Sequence, residues 1–316
     1  MEKILITGYS GFVGRHLLNT LSSPYRINLL GRSNVSECYD HLNANIDSKS
    51  DYSSILEQVG VVVHVAARVH VMNDISLDPL REFREVNTAG TMNLARQAVK
   101  AGVKRFIFVS SIKVNGESTE IGKPFTENDY RCPQDFYGQS KAEAELQLLE
   151  LAKQTGLEVV IIRPTLVYGP GVKANFASLL HLVSKGLPLP FGSVKDNKRS
   201  LVSVHNLVDL IVTCIDHPKA ANQVFLVSDD HDISTAEMVK HMSQALGKSC
   251  RLFSVPLWCY RLVGKLTGKM DVVDRLIGSL QVDITHTKKT LGWTPPQTLE
   301  HGFKEAAEAF LRKKNI

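Results

Sequence analysis

The chain has 316 residues, which suffices for two domains or for one large domain with an appended lobe. Hydrophobic residues account for 43% and charged residues for 22%, so extended disorder is excluded for most of the chain. The net charge of +5 could favour anionic substrates, but it is too small an excess to indicate a nucleic-acid-binding protein.

The five cysteines are an odd number, and no two of them have the C-x-x-C spacing. This argues against a disulfide framework and against a zinc site, so we expect no metal and a reducing, cytoplasmic compartment. The first residues run directly into a strand-like segment, without the charged and removable apolar parts of a secretory signal. No apolar run approaches 18 residues, so no membrane-spanning helix is predicted.

Short, apolar, β-branched segments alternate with helical patterns along the first half of the chain. The predicted strands are 3–8, 27–31, 61–67, 105–111 and 158–165, and the predicted helices lie near 12–22, 82–101 and 136–155. Continuous apolar strands that alternate with helices are typical of a parallel sheet covered on both faces. The fold class predicted is therefore α/β, with a doubly wound parallel sheet of the Rossmann type.

The pattern changes after Pro164. Residues 166–199 are rich in Gly, Pro and Lys and are predicted to be mostly loop, whereas strands at 200–204 and 223–228 flank a helix at 206–217. The remainder, 229–316, is mostly helical. We expect a dinucleotide-binding domain over 1–165, to which 200–228 returns, and a smaller, mostly helical C-terminal substrate lobe formed by 166–199 and 229–316.

The first strand leads into a glycine-rich turn with the spacing G-x-x-G-x-x-G. Its members are Gly8, Gly11, Phe12, Val13 and Gly14. Glycines at these positions allow a tight turn, close approach of a pyrophosphate to the backbone, and close packing of helix on strand. The helix that follows presents unpaired N–H groups to the phosphates, so the motif predicts a dinucleotide site. The alternative is a tight turn with a purely structural role.

The end of the second strand bears on the choice of cofactor. An acidic residue about 20 positions past the glycines would favour NAD, but this sequence has Arg32 there. A guanidinium can pair with the 2′-phosphate of NADP. The sequence thus leaves NAD or NADP open and slightly favours NADP; an exposed arginine without this role is the alternative.

Three side chains form a candidate hydride-transfer site. Tyr137 and Lys141 are four residues apart on one helical face, and Ser111 follows a buried strand. A neighbouring ammonium and a positive nicotinamide ring would favour the phenolate, so Tyr137 could accept a proton as hydride leaves the same carbon. Ser111 could hydrogen-bond the reacting oxygen. Taken singly, these residues are equally compatible with a surface helix pair and a strand end.

The motifs taken together resemble the extended short-chain dehydrogenase/reductase family, in its NAD-dependent nucleotide-sugar epimerase/dehydratase branch. Beside the glycine turn and the three side chains above, the resemblance rests on His64-Val65-Ala66-Ala67, Asn87-Thr88-x-Gly90-Thr91, Arg163-Pro164-Thr165-x-Val167-Tyr168-Gly169-Pro170 and Leu291-Gly292-Trp293. It covers essentially the full chain. It implies a nicotinamide cofactor, a nucleotide-sugar substrate and a homodimer through the helices near 82–101 and 136–155.

The resemblance also implies residue roles. The further cofactor contacts are Asn45 and Ile46 at adenine, Ala66 and Ala67 at ribose and phosphates, Asn87 as a brace for the active-site helix, and Pro164 and Val167 beside the nicotinamide. The substrate contacts are Asn175 and Phe176 at the start of the sugar-nucleotide pocket and Arg199 on the diphosphate. For Arg199, a surface arginine is the alternative.

Two departures from the family pattern bear on specificity. Dehydratases of this branch carry Asp-Glu after the catalytic hydroxyl, where this chain has Ile112 and Lys113. Ile112 cannot transfer a proton, so dehydration is disfavoured. Asn115 replaces a usual tyrosine, and with Lys113 it is a candidate to shape an N-acetyl or 6-deoxy sugar pocket. A polar loop with a turn at Asn115-Gly116 is the alternative.

The leading hypothesis is an NAD(P)-dependent epimerase that acts at C4 of a UDP-hexose or UDP-N-acetylhexosamine through a 4-keto intermediate. The runner-up is an NADPH-dependent UDP-4-keto-6-deoxy-sugar 4-reductase. Less favoured are a non-catalytic dinucleotide sensor and an epimerase of lipid-linked sugars. The last follows from the basic, apolar segment 256–280, which could touch a membrane, although core or dimer contact is the commoner role of such a stripe.

Overall fold

A computed structural model describes residues 2–21, 25–33, 38–69 and 78–314. Its main sheet has seven parallel strands in the order β3-β2-β1-β4-β5-β6-β9. The strands are β1 (Lys3–Thr7), β2 (Arg26–Gly31), β3 (Asp40–Asn43), β4 (Val61–His64), β5 (Arg105–Val109), β6 (Glu158–Pro164) and β9 (Gln223–Val227). This order confirms the predicted doubly wound sheet, and β3 is a strand that the prediction omitted.

The central strands read as unbroken apolar runs because both of their faces are covered. β4 and β5 have no residue with more than slight exposure. Helices α1 (Phe12–Thr20) and α6 (Val204–Asp216) pack on one face, while α3 (Thr91–Lys100) and α4 (Phe136–Thr155) pack on the other. Burial on both faces removes the period-two alternation that would mark a half-exposed strand.

The predicted helix near 82–101 is not a single regular helix. It consists of α2 (Pro79–Arg84), a π-helical turn at Glu85–Gly90, and α3. The π-turn inserts an extra residue into the helical ladder, a feature that is frequent at functional sites. The predicted helix 12–22 ends at Thr20 in the structure, and residue 22 lies outside the described residues.

A second sheet of three strands lies beyond the main one, in the order β10-β8-β7. Its strands are β7 (Leu166–Tyr168), β8 (Arg199–Ser203) and β10 (Asp232–Ile233). The predicted strand 200–204 thus belongs to this sheet, although the helix after it packs against the main sheet. The division of the chain into two domains remains a prediction.

The C-terminal part is mostly helical, as predicted. Its helices are α5 (Ala174–Ser184), α7 (Thr235–Ala245), α8 (Leu257–Thr267), α9 (Met270–Ile277), α10 (Thr285–Leu291) and α11 (Leu299–Lys314). The prediction of loop over 166–199 was wrong for α5, since glycine and proline on both sides of it obscured an apolar segment whose buried side chains join a third core cluster. Among the described residues, no helix is both long and apolar enough to cross a bilayer.

The glycine-rich turn brings α1 against the ends of β1 and β4. Gly8 has φ +71°, and a Cβ atom there would lie 2.5 Å from the backbone nitrogen of Ala66. A Cβ atom at Gly14 would lie 2.1 Å from the carbonyl oxygen of Gly8. At Gly11 the nearest atom would be that same oxygen, at 3.1 Å. Packing therefore excludes a Cβ atom at Gly8 and Gly14, whereas at Gly11 a Cβ atom would make one tight contact that a small shift of the turn could relieve.

We expect Gly14→Ala to lower the free energy of unfolding by about 2 kcal/mol, because its Cβ atom would force α1 away from the turn. Gly11→Ala is the matched control within the same turn, and it should lose much less stability, because its Cβ atom would lie 3.1 Å from the carbonyl oxygen of Gly8, whereas the Cβ atom at position 14 would lie 2.1 Å from that oxygen. Urea denaturation followed by circular dichroism measures both. Equal stability of the two variants would contradict the packing argument.

Candidate active site

The order of the main sheet reverses between β1 and β4, so the connections that follow these two strands lead to opposite faces of the sheet and leave a crevice outside the carboxyl ends. The start of α1 points into this crevice. Its N-cap, Gly11, offers no side chain to the first N–H groups, and the first turn contains no acidic residue. Gly11 is exposed, while Phe12 and Val13 are half-buried. This cradle fits a pyrophosphate, since backbone approach is open and the helix end carries a positive partial charge.

A buried histidine at the end of β4 connects this strand to β1 and to α3. His64 Nδ1 lies 2.7 Å from Thr7 Oγ1, and its Nε2 lies 2.9 Å from Thr91 Oγ1. Thr91 donates its hydroxyl proton to a carbonyl, so Nε2 donates to Thr91 and Nδ1 accepts from Thr7. Burial, followed by the charge of Lys141, lowers the pKa of His64 to about 3. The ring is neutral at physiological pH and serves as a fixed link between strands.

The same chain of hydrogen bonds holds the loop after β4. Thr7 Oγ1 accepts a hydrogen bond from the backbone N–H of Ala66 at 3.1 Å. This interaction fixes Ala66 and the adjacent Ala67 beside Gly8. Both alanines are half-buried, so they lie at the wall of the crevice where the resemblance places cofactor contacts.

Asn87 lies in the π-helical turn and joins the loop after β4 to helix α4. Its amide accepts from the backbone N–H of Arg68 at 2.8 Å and donates to the carbonyl of the same residue at 3.0 Å. The amide also donates to Ser140 Oγ at 3.0 Å, one residue before Lys141. Asn87 is completely buried, and these contacts match the brace that the resemblance implies.

The expected adenosine contacts lie at the carboxyl ends of β2 and β3. Arg32 and Asn45 are exposed, and Ile46 is half-buried against the hydrophobic core. Tyr9 was not among the predicted site residues, but it holds together the segments that follow β2 and begin β3. Its hydroxyl donates to the carbonyl of Ser33 and lies 2.8 Å from His41 Nε2. A tyrosine inside a glycine-rich turn is the signal that could have indicated this contact.

The three candidate catalytic side chains come from β5 and α4. Ser111 is the second residue after β5 and Tyr137 lies in the first turn of α4; both are half-buried and line one cavity. Lys141 lies one turn further along, behind the cavity wall, and only 1% of it is exposed. Its Nζ donates to the carbonyl of Val109 at 2.9 Å and lies 4.3 Å from the centre of the Phe108 ring.

The electrostatics of this group differ from the expectation. Burial lowers the pKa of Lys141 to about 7, although Glu145 opposes the shift. Burial raises the pKa of Tyr137, and the charge of Asp135 raises it further. Lys141 is therefore only partly charged at neutral pH, and the expectation that it favours the phenolate is not met in this arrangement. An additional positive charge, such as a bound oxidised nicotinamide ring, is required to bring the phenol pKa down.

Helix α4 is held by a completely buried carboxylate. Glu145 accepts from Arg163 at 2.9 and 2.5 Å, from Ser110 Oγ at 2.6 Å and from Arg131 at 3.0 Å. Arg163 also donates to Asn115 Oδ1 at 3.1 Å. Asn115 is buried in this network and is absent from the residues that line the cavity. The structure therefore does not bring the side chain of Asn115 to the substrate pocket where the sequence analysis expected it.

Lys113 connects the loop after β5 to the start of α4. It forms ion pairs with Asp135 and, at 2.8 Å, with Glu117. Asp135 is the N-cap of α4 and accepts from the backbone N–H of Gly138 at 2.6 Å. Ile112, Lys113 and Glu117 also line the cavity, and the largely buried side chain of Ile112 offers no proton.

The cavity has a volume of about 510 Å³ and lies between the carboxyl edge of the sheet and the C-terminal helices. It gathers many of the predicted site residues, which are Ser111, Tyr137, Lys113, Val167, Asn175, Phe176 and Arg199. Phe176 is almost fully buried and stacks on Tyr168 at 5.2 Å, so it acts mainly as packing. Pro164 is buried at the end of β6, one residue before Thr165, where this segment begins to line the cavity.

Two arginines meet at one side of this cavity. Arg199 begins β8 and donates to the carbonyl of Gly278 at 3.3 Å, and Arg275 comes from α9. Burial and then the charge of Arg275 lower the pKa of Arg199 to about 10. Two guanidinium groups close together fit a diphosphate. Arg275 was missed because no local pattern links residues that are 76 positions apart in sequence.

A family model for the NAD dependent epimerase/dehydratase family matches residues 4–228. The chain belongs to this family. A UDP-glucose 4-epimerase of Vibrio cholerae is 61% identical over 318 residues, covering 99% of this chain and 97% of that relative. Membership confirms the resemblance and the use of NAD or NADP, and the preference for NADP drawn from Arg32 remains a prediction.

Two further proteins are similar to this chain at lower identity. An N-acetyl-alpha-D-glucosaminyl-diphospho-ditrans,octacis-undecaprenol 4-epimerase of Escherichia coli O157:H7 is 28% identical over 95% of this chain and 93% of its own length. The crystal structure of a UDP-glucose 4-epimerase from Thermotoga maritima, with UDP-glucose, matches with a TM-score of 0.78 at 22% identity. It covers 99% of this chain and 100% of that one. At this identity the likeness shows the fold.

We expect Lys141→Met to stabilise the folded chain at pH 7 by about 2 kcal/mol, because it removes a buried group whose charged form is disfavoured. Loss of the bond to Val109 offsets part of this gain. Because the folded-state pKa is below the unfolded value of 10.5, wild-type stability rises as the pH increases from 7 to 10.5. The difference in free energy of unfolding between Lys141→Met and wild type should therefore decrease from pH 7 to pH 10.5 and be largest below pH 7.

Urea unfolding of both proteins between pH 6 and 10 measures this difference in free energy of unfolding. Lys153→Met, at an exposed position of the same helix, is the control and should show no such pH dependence. A constant difference between Lys141→Met and wild type would contradict the proposed desolvation of Lys141.

Proposed function

We propose that this chain is an NAD(P)-dependent epimerase that inverts C4 of a UDP-hexose, with UDP-glucose and its C4 epimer as the first substrates to test. The observation that carries the proposal is that Ser111 and Tyr137 line the same cavity as Arg199 and Arg275. The 61% identity to a UDP-glucose 4-epimerase over nearly the full chain supports it. A UDP-N-acetylhexosamine is the alternative substrate within the same mechanism.

We assign the cofactor residues by their positions along the crevice between β1 and β4. The backbone of Gly11, Phe12 and Val13 would hold the pyrophosphate, with Gly8 and Gly14 setting the turn. Arg32, Asn45 and Ile46 would contact the adenosine, Ala66 and Ala67 the ribose and phosphates, and Pro164 and Val167 the nicotinamide. When bound, oxidised nicotinamide accepts hydride from C4 of the sugar and later returns it.

The chain's own residues would move the proton and orient the sugar. Tyr137 would take the proton of the C4 hydroxyl while the C4–H electron pair leaves as hydride, and Ser111 would hydrogen-bond the same oxygen. The result is a 4-keto sugar, which must rotate before the proton and hydride return to its opposite face. Lys141 would hydrogen-bond the nicotinamide ribose and adjust the charge near Tyr137.

The substrate contacts are proposed from the cavity lining. Arg199 and Arg275 would bind the diphosphate, Asn175 would lie at the mouth of the pocket, and Phe176 would support its wall. Lys113 is proposed as a polar contact whose position is set by its two carboxylate partners. The role expected for Asn115 becomes indirect, through its hydrogen bond to Arg163.

A 4-keto-sugar reductase would use the same residues once and would consume NADPH, and Arg32 is the feature that favours it. An epimerase of lipid-linked sugars also stays open, because the relative from Escherichia coli carries an undecaprenol-linked substrate in its name.

We further propose a cytoplasmic location and a homodimer through α3 and α4, where Leu146 is exposed on the outer face of α4. Light scattering at high protein concentration measures the oligomeric state.

We expect Tyr137→Phe to reduce interconversion of UDP-glucose and its C4 epimer at least about 100-fold, because the proton acceptor is lost. Tyr130→Phe, at a fully exposed tyrosine, is the matched control and should retain wild-type turnover. A coupled assay for the product sugar measures both. Near-normal turnover of Tyr137→Phe would overturn the mechanism, and stoichiometric consumption of NADPH by wild type with a 4-keto sugar would favour the reductase.

We expect Arg199→Gln to raise KM for the UDP-sugar about tenfold or more with a smaller change in kcat, because a diphosphate contact acts on bound substrate and transition state alike. The half-exposed Arg84, which pairs with Glu143 at 2.6 Å outside the cavity, provides the control variant Arg84→Gln. Steady-state kinetics separates the two parameters. An unchanged KM for Arg199→Gln would remove Arg199 from the substrate site.

A further inference from the structure

The helical pair α8–α9 exposes an unusual concentration of apolar side chains. Within residues 253–272, seven large hydrophobic side chains are exposed: Phe253, Leu257, Trp258, Leu262, Val263, Leu266 and Val272. Trp258 is 65% exposed and Leu266 is 78% exposed. Scattered exposed hydrophobic residues are normal on a protein surface, but several of them on one helix indicate a contact with another protein surface or with a membrane. Val272 also lines the cavity, so the candidate contact surface is the one on α8.

The exposed side chains of α8 are arranged in two rows. Trp258, Leu262 and Leu266 are spaced four residues apart and form an apolar row along the helix. Arg261 and Lys265 have the same spacing and form a basic row beside it. All of these residues are exposed or largely exposed, so the apolar row is not part of the core of this chain.

The charge around this helix has one predominant sign. Residues 251–275 contain five Lys or Arg and two Asp, which gives a net charge of +3 over this segment. Both acidic residues, Asp271 and Asp274, lie on α9 and not on α8. An apolar row flanked by lysine and arginine, with a tryptophan near one end, is the composition that binds the interface of an anionic bilayer.

The two helices form one unit with the wall of the cavity. Gly264 lies where they cross, since a Cβ atom there would be 2.8 Å from Val273 and 2.9 Å from the sulfur of Met270. On the inner side, α9 supplies Arg275 and Leu276 to the cavity lining. On the outer side, α8 carries the apolar and basic rows. The exposed face is therefore close to the proposed substrate site.

We propose that the exposed face of α8 is a membrane-docking surface, which seats the protein on an anionic phospholipid bilayer with Trp258, Leu262 and Leu266 inserted at the interface and Arg261 and Lys265 at the headgroups. The helix lies on the bilayer and does not cross it. The charge complementarity selects an anionic bilayer over a second copy of this chain, whose own α8 would present the same positive charge. The proposal goes beyond the sugar chemistry and does not depend on it.

The test is co-sedimentation of the full chain with vesicles made of equal parts phosphatidylglycerol and phosphatidylcholine, with pure phosphatidylcholine vesicles in parallel. We expect binding to the anionic vesicles that weakens at high salt, and much weaker binding to the neutral ones. The triple variant Trp258→Ser/Leu262→Ser/Leu266→Ser should lose at least about tenfold in binding. Arg261→Gln and Lys265→Gln should each lose about fivefold.

The matched control is Ile121→Ser/Tyr130→Ser/Leu187→Ser, which removes three equally exposed apolar side chains elsewhere and should bind anionic vesicles like wild type. Thermal unfolding confirms that both triple variants are folded. Wild-type protein that does not bind anionic vesicles, or equal losses in both triple variants, would overturn the proposal. It would also be overturned if light scattering showed that only the α8 triple variant dissociates from a larger assembly, since a second copy would then cover this face.

Discussion

The buried contact between Glu145 and Arg163 is the constraint on which the site depends. It joins the middle of α4 to β6, and through Ser110 and Arg131 it also reaches the end of β5 and the loop before α4. A buried ion pair of this kind contributes little net stability, but removal of one partner leaves an uncompensated charge and is strongly destabilising. Its effect here is geometric, because it determines how α4 lies against the sheet and therefore where Tyr137 and Lys141 stand.

Other buried polar side chains near this contact also form hydrogen bonds with specific partners. His64 is neutral and links Thr7 to Thr91, and Asn87 links the loop after β4 to Ser140. Such buried networks are costly when one member is missing, so they specify a single arrangement of the surrounding elements. In this chain, the arrangement they specify is the one that places the glycine-rich turn, the end of β5 and the start of α4 around one crevice.

The active-site helix α4 carries Lys141, whose charged form is destabilised by burial. Burial lowers the pKa of Lys141 to about 7, and its ammonium group donates a hydrogen bond to the backbone carbonyl of Val109. A group that can change its charge near neutral pH beside a phenol is suited to adjusting proton transfer, and a loss of stability is the usual consequence of such a site. Burial and the charge of Asp135 raise the pKa of Tyr137 in this arrangement, and a positive charge bound beside the phenol would lower it.

The sequence by itself determined the elements whose signals are local. Continuous apolar strands, the glycine turn at Gly8 and Gly14 and the Tyr137–Lys141 spacing each depend on residues close together in the chain, so the doubly wound sheet and most candidate side chains were predictable. Only the tertiary structure decided that Arg275 joins Arg199, that Asn115 faces Arg163 and not the cavity, and that the apolar row of α8 stays exposed. These outcomes depend on which residues, distant in sequence, come into contact in the fold. The burial of a side chain and its charged neighbours are set by that packing, and the hydrophobic periodicity of one segment does not predict them.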